Sequence, residues 1–352
     1  MEEIKVILKS GKDQSLRRFH PWVFSGAIKK IKGEPAEGDI VHIYDNKDEF
    51  LGIGHYQIGS IAIRIISFEN VNIDKEFWRK KLQKAISLRQ TLGLADNPET
   101  TVYRLINAEG DGFPGLVIDF YNGVLVVQAH SIGMYRIIEL LSEILQELFE
   151  GEITAIYNKS NATLPYKADV DKKNYYIFEK EKPSSVKENG LDFTINWEEG
   201  QKTGFYIDQR DNRLLLQRFS KDKTVLNLFG YTGGFSVYAL AGGCKSVDTV
   251  DSSKNAVDLA NENVEINFGS SAIHKGIASD AFDYLNNGDT EYDVIVLDPP
   301  AFAKHHNVLH NALQGYKKLN RKAIQKINKG GVLFTFSCSQ VVSRENFRKM
   351  IF

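Results

Sequence analysis

The 352 residues suffice for two or three domains, and 42% hydrophobic with 25% charged residues describes a globular chain with apolar material for more than one core. The N-terminus MEEIKVILKS lacks the apolar stretch of a secretory signal and the longest apolar runs, such as DVIVLD, are strand-sized, so no membrane partner and a cytoplasmic location are expected. Two cysteines, Cys244 and Cys338, exclude a disulfide framework or cysteine-pair zinc site, no metal is expected, and a net charge of -1 excludes a uniformly basic nucleic-acid surface.

Up to about residue 70 the chain reads as short strands: KVILK, DIVHIYD, FLGIGHY and IAIRIISF are rich in β-branched or aromatic residues and separated by glycines. A small barrel or curled sheet is expected. Residues 1–32 carry eight Lys/Arg against three Asp/Glu, a basic opening within a near-neutral protein. There Arg17, Arg18, His20 and Trp22 combine charge with aromatic faces, a pairing suited to phosphates and an unstacked base. An ordinary solvated surface is the alternative.

A helix is expected over 74–92, then strand, turn, strand, turn, strand through TVYRLINAEGDGFPGLVIDFYNGVLVVQAHS, a helix at about 133–149, and strands with polar loops over 153–185. This makes a mixed central region. Beyond about 190, FTINWEEGQKTGFYIDQRDNRLLLQRF leads through a helix into the strand VLNLF, followed by a helix at 235–242, a strand at 246–250, a helix at 253–263, a weak strand AIHKGI, and the strong strands DVIVLD and GGVLFTFSC. Strands alternating with helices predict a mostly parallel sheet covered on both faces. SRENFRKMIF starts a last helix and closes the chain, so the sheet is expected to lack its C-terminal strands.

The cofactor signal is NLFGYTGGFS followed by TVDSS. Gly230, Gly233 and Gly234 stand between a strand and a helix, where glycine permits tight turning and close approach of a ligand to the backbone. Asp251 closes the next strand, placed to accept from a ribose diol, with Ser252 beside it. The spacing G-x-x-G-G is not the G-x-G-x-x-G that seats a pyrophosphate. S-adenosyl-L-methionine, which has none, is therefore preferred over a nicotinamide dinucleotide. Asp280 and Ala281 are candidates for the adenine, with a plain helix cap as the alternative for Asp280.

DVIVLDPPAF puts Asp298, Pro299 and Pro300 at the end of a buried strand, with Phe302 close by. The aspartate can face the exocyclic amine or a protonated ring nitrogen of a base. Cys338, in FTFSCS, is placed at the end of the next strand. Pyrimidine C5 becomes nucleophilic only when something adds at C6, and a thiolate beside the cofactor meets that need. Cys244, in GGCKSV, is assigned to packing.

These motifs together resemble the bacterial large-subunit ribosomal RNA cytosine-C5 methyltransferase I family over nearly the whole chain. SLRRFHPWVFSGAI is similar to its PUA-type opening, AEGDGFPGLVID to its central-domain signature, KTGFYIDQRDNR to its pre-catalytic motif, and NLFGYTGGFS, DVIVLDPPAF and FTFSCS to its catalytic motifs. Ala301 stands where the family often has Lys or Arg. The resemblance implies an α/β fold: a class I Rossmann-like methyltransferase domain (191–352) preceded by a small β-rich PUA-type RNA-binding domain (1–72) and a central α+β domain (73–190). It implies that Asn227, Phe229, Gly230, Tyr231, Thr232, Gly233 and Gly234 wrap the methionine part of the cofactor, that Asp251 holds the ribose, that Cys338 is the nucleophile, and that Asp298 contacts the base beside the cofactor. Asp208, Gln209 and Arg210 are expected to orient cofactor or target. The expected partner is structured RNA, ribosomal RNA foremost; the oligomeric state is open, a homodimer being one option. Two other functions compete: an exocyclic amino methyltransferase, which needs no cysteine, and a non-catalytic RNA-binding assembly factor.

Overall fold

The computed structural model describes residues 3–165, 173–270, 273–287, 290–303 and 305–352. Parts of two expected features, the polar loop at 166–172 and Ala272 of the weak strand, lie outside the described residues. The chain forms two compact units, one of residues 1–190 and 196–204, the other of 191–195 and 205–352.

Among the described residues the first unit contains two sheets. One has six strands in the order Trp22–Phe24, Ile61–Ser67, Phe50–Tyr56, Ile40–Tyr44, Lys5–Leu8, Ile28–Lys32. Adjacent strands are antiparallel except Lys5–Leu8 beside Ile40–Tyr44. Four of these strands are the four expected. Trp22–Phe24 and Ile28–Lys32, hidden in the basic opening, are additional. One face closes over Val6, Leu8, Val23, Val41, Ile43 and Ile63. Ile53 and Ile66 instead join the core of the following region, against Trp78 and Leu82 of the helix Lys75–Thr91. Asp74 caps that helix by accepting from Phe77 N at 2.9 Å.

The second sheet runs Tyr175–Glu179, Ala155–Asn158, Val124–Ala129, Leu116–Tyr121, Val102–Asn107. Every residue of Val124–Ala129 is buried, which explains its run of apolar residues, broken only by Gln128. The helix expected at 133–149 is two, Ile132–Arg136 and Ile138–Leu148.

In the second unit, five described strands form a wholly parallel sheet in the order His274–Ala278, Ser246–Asp251, Thr224–Leu228, Tyr292–Leu297, Ile327–Thr335. The chain starts this sheet in the middle, at Thr224–Leu228, builds outward on one side, then crosses to build on the other. The two loops that leave Thr224–Leu228 and Tyr292–Leu297 therefore turn away from each other and open a crevice at the carboxyl ends, where ligands of such sheets sit. The helix Lys254–Phe268 is longer than the expected 253–263, and Ala281–Asn287, expected only as the helix that Asp280 could cap, and Leu309–Lys326, absent from the sequence reading, complete the layers. The strand Ile327–Thr335 ends before Cys338, which lies three residues into the following loop.

Candidate active site

The turn after Thr224–Leu228 is wound unusually tightly. Phe229 and Tyr231 both adopt left-handed backbone, φ 61° and 44°, on either side of Gly230. Such conformations in non-glycine residues cost about 1–3 kcal/mol each and persist where surrounding structure demands them. Here Gly230 N donates to Val250 O at 3.0 Å and Gly233 N to Gly230 O at 2.8 Å. Asp251 closes the loop from the neighbouring strand: its carboxylate accepts from Tyr231 N at 3.0 Å and from Ser253 N at 2.9 Å. A carboxylate has about four acceptor sites, so two backbone donors leave room for a diol.

Beneath the turn, Asn227 Nδ2 donates to Ser236 Oγ at 2.9 Å, and Ser236 continues through Thr249 to His274. The buried Asn227 Oδ1 has no partner, an acceptor left at the foot of the loop. Thr232 O accepts from Asn263 Nδ2 at 2.9 Å, fastening the turn to the helix Lys254–Phe268. A tight glycine turn, an orphaned acceptor beneath it and an acidic residue at the next strand end suit a nucleoside cofactor without phosphate. Ser252 is exposed beside Asp251. Asp280 caps the helix Ala281–Asn287, its Oδ1 accepting from Phe282 N and Asp283 N at 2.8 and 3.1 Å, while Ala281 is buried.

The glycines have different jobs. A side chain at Gly230 would run into Thr249, and one at Gly233 would put its Cβ 2.8 Å from Ala260 Cβ, with φ already at +75°. Gly233 thus serves the seating of the turn on Lys254–Phe268, and its missing side chain faces packing. Gly233→Val should consequently lower stability by about 2–4 kcal/mol, from strained backbone plus overpacking. A thermal melt within a few degrees of wild type would contradict this.

On the other side of the crevice, Asp298 follows Tyr292–Leu297 directly. Gln209 Nε2 donates to Asp298 Oδ2 at 3.1 Å and is itself held by Asn212 Nδ2 donating to its Oε1 at 2.6 Å. Burial, then the neighbouring Asp208 charge, pushes the Asp298 carboxyl up to about 6. Arg210 begins the helix Arg210–Phe219, and Arg213 on it donates to Tyr206 O at 3.0 Å. Pro299 is buried and Pro300 exposed. Phe302 faces inward, its ring 4.6 Å from that of Tyr316.

Cys338 is exposed, with Sγ 3.7 Å from Pro299 O, so the cysteine loop lies along the aspartate loop. Cys244 is buried, and burial pushes its thiol up to about 11. The fold thus brings Asp208, Gln209, Asp298, Pro299 and Cys338 together. Tyr206 joins them: its ring meets Tyr231 edge-on at 5.5 Å, and burial plus the charges of Tyr231, Asp298 and Cys338 pushes its hydroxyl up to about 12. Tyr206 stood unremarked in KTGFYIDQR; an aromatic next to an acidic-amide pair was the available signal.

Arg17, Arg18, His20 and Trp22 belong to the first unit. Arg17 is engaged by Asp13, Asp45 and Glu49 at 2.6, 2.9 and 2.6 Å. Arg18 is exposed, and His20 lies edge-on to Trp22 at 5.6 Å, next to the half-exposed Phe24. Trp22 Nε1 donates to Glu109 Oε1 at 2.9 Å.

Among the described residues no helix is long and apolar enough to cross a membrane, and no cluster of three His, Cys, Asp or Glu is arranged for a metal.

Residues 6–68 match the PUA-like domain family, and residues 103–345 match the family of S-adenosylmethionine-dependent methyltransferases. Across 99% of its length the chain is 40% identical to the Ribosomal RNA large subunit methyltransferase I of Aliivibrio fischeri (strain MJ11), covering 89% of that protein. The protein of the same name from Pseudoalteromonas translucida is 41% identical over 98% of this chain and 88% of its own. A solved structure from Streptococcus mutans, assigned as a SAM-dependent methyltransferase, is similar with a TM-score of 0.82 at 25% identity, over 99% of this chain and 89% of that one. A second solved methyltransferase, complexed with SAH, has a TM-score of 0.83 at 26% identity over the same shares.

Proposed function

Because the chain belongs to the S-adenosylmethionine-dependent methyltransferases of the ribosomal RNA large subunit methyltransferase I family, we propose that it forms 5-methylcytosine in large-subunit ribosomal RNA through a Cys338 adduct at C6. The observation that carries this is the placement of an exposed cysteine 3.7 Å from the carbonyl of Pro299, next to Asp298 and across the crevice from the glycine turn. In this reading residues 1–72 are a PUA-type RNA-binding domain, 73–190 a central α+β domain and 191–352 the catalytic domain. Arg18, His20 and Trp22 meet the RNA, and Arg17 shapes the same segment through its three carboxylates.

When bound, the cofactor supplies a sulfonium methyl group. Asn227 and the backbone of 229–234 hold its methionine part, Asp251 its ribose, and Asp280 with Ala281 its adenine side. Asp298, oriented by Gln209, accepts from the cytosine amine or protonated N3. The Cys338 thiolate adds to C6, and the electron pair shifts to C5, which takes the methyl group. Loss of the C5 proton to a base then expels the thiolate and restores the ring. The inward packing of Phe302 on Tyr316 disfavours the exocyclic amino route, which uses an aromatic presented to the base.

The test is nucleoside analysis of large-subunit RNA incubated with the protein and S-adenosylmethionine. 5-Methylcytidine is expected; N4-methylcytidine would replace this reading by the amino route, and no methylation would leave a non-catalytic binder.

Asp298 also sets a pH dependence. Its folded value of about 6 lies above the ordinary 3.8, so burial favours the neutral acid. Its contribution to stability is greatest below the ordinary value and declines as pH rises through about 6. The ionised form, which accepts from the amine, dominates above about 6, so kcat/KM should rise with pH across that region. Asp298→Asn should lack this limb; an unchanged limb in that variant would assign it to another group.

A further inference from the structure

Tyr316 lies on the helix Leu309–Lys326, outside every motif that carries the chemistry, and is completely buried. Its hydroxyl sits between the two serines that flank Cys338. Ser337 Oγ donates to Tyr316 Oη at 3.0 Å, and Tyr316 Oη is 3.0 Å from Ser339 Oγ. Ser339 is itself buried and its Oγ accepts from Ala303 N, the far end of the Asp298-Pro299-Pro300 loop, at 3.3 Å. Tyr316 Oη thus links Ser337 and Ser339, and through Ser339 the backbone of Ala303, in one hydrogen-bonded chain across three segments. The ring packs 4.6 Å from Phe302 of the aspartate loop and, on its other side, edge-on at 5.2 Å against Phe347 of the last helix. Gly315 leaves the space for this, since a Cβ there would stand 3.1 Å from Phe302.

A buried hydroxyl with two partners and no route to solvent is retained only if it is satisfied, and here both partners bracket one exposed cysteine. We propose that Tyr316 is a positioning residue that holds the Cys338 loop against the Asp298 loop, setting the distance from sulfur to the C6 atom of the target base. The proposal rests on the reading of Cys338 as nucleophile. It does not make Tyr316 a proton carrier for the reaction. Its action is geometric, and a small misplacement of an attacking atom lowers rate by up to roughly a hundredfold without changing affinity.

The test uses the full-length chain. Tyr316→Phe keeps the ring and removes the hydroxyl; Ser339→Ala removes the acceptor; Phe347→Leu loosens the ring's packing and leaves the hydroxyl chain in place. Folding is checked by circular dichroism and melting. In Tyr316→Phe and Ser339→Ala, kcat should fall roughly ten- to a hundredfold, with KM for RNA and cofactor close to wild type. Phe347→Leu should lower the melting temperature but keep kcat. Peptide-resolved alkylation by iodoacetamide gives a readout independent of turnover: Cys338 should react several-fold faster in Tyr316→Phe, and Cys244 should not change. Wild-type kcat and wild-type Cys338 alkylation in a folded Tyr316→Phe would overturn the proposal, as would an equal loss of kcat in Phe347→Leu. Full methylation by Cys338→Ser would instead overturn the nucleophile assignment, and the alkylation rates would still report whether Tyr316 holds the loop.

Discussion

Cys338→Ser should reduce methylation to below about a thousandth of wild type, a barrier increase of roughly 4 kcal/mol or more. A serine hydroxyl is a far weaker acid than a thiol and forms almost no alkoxide, and only an ionised nucleophile adds to C6. Substrate RNA carrying 5-fluorocytosine at the target position makes the step visible. The methyl group still transfers, but fluorine replaces the proton that must leave C5, so Cys338 cannot be expelled. A complex that survives denaturation should accumulate, require S-adenosylmethionine, and vanish in Cys338→Ser. Cys244→Ser should trap as wild type does, because Cys244 is buried with its thiol pushed up to about 11. A trapped complex persisting in Cys338→Ser would remove that residue from the mechanism.

Asp251→Ala should weaken S-adenosylmethionine binding by roughly one to two orders of magnitude. Hydrogen bonds to a charged group contribute about 1.5–3 kcal/mol each, and about 1.4 kcal/mol is tenfold in affinity. Part of the loss is indirect, since the carboxylate also accepts from Tyr231 N and anchors the left-handed turn. A cofactor analogue lacking the ribose hydroxyls separates the two effects. It should bind wild type far more weakly than the parent cofactor does. In Asp251→Ala the two ligands should bind nearly alike, because the partner of the diol is gone. Persisting discrimination between them in the variant would place the ribose elsewhere. Equilibrium dialysis or calorimetry reads both.

Glycines punctuating β-branched runs announced four strands of the first sheet, and alternating apolar strands and helices announced the parallel sheet of the second unit. The motif-bearing loops were legible for a reason of chemistry: Asp251 closes a strand, Asp298 and Gly230 follow one within two residues and Cys338 within three, and a strand end followed by such side chains is a local pattern. The reading missed Trp22–Phe24 because it is only three residues long and Ile28–Lys32 because lysines interrupt it, both with pairing partners distant in the chain. It missed Leu309–Lys326 although Ala312, Tyr316, Leu319 and Ala323 recur at helical spacing and are all buried. That omission hid Tyr316, whose significance lies wholly in what its hydroxyl touches.

Local sequence therefore determined most of the element types, the family and the candidate residues of the site, because each depends on neighbours a few residues away. Tertiary structure alone decided the relations among them. Strand order placed the turn of 229–233 opposite Asp298, although nearly seventy residues separate them. Packing brought Gln209 to Asp298 and the Cys338 loop to Pro299. It turned Phe302 inward and gave Arg17 three carboxylates, contacts spanning up to 32 residues in the case of Glu49. Distances of that kind follow from how helices and strands bury their apolar faces, a property of the whole folded chain that no short segment contains.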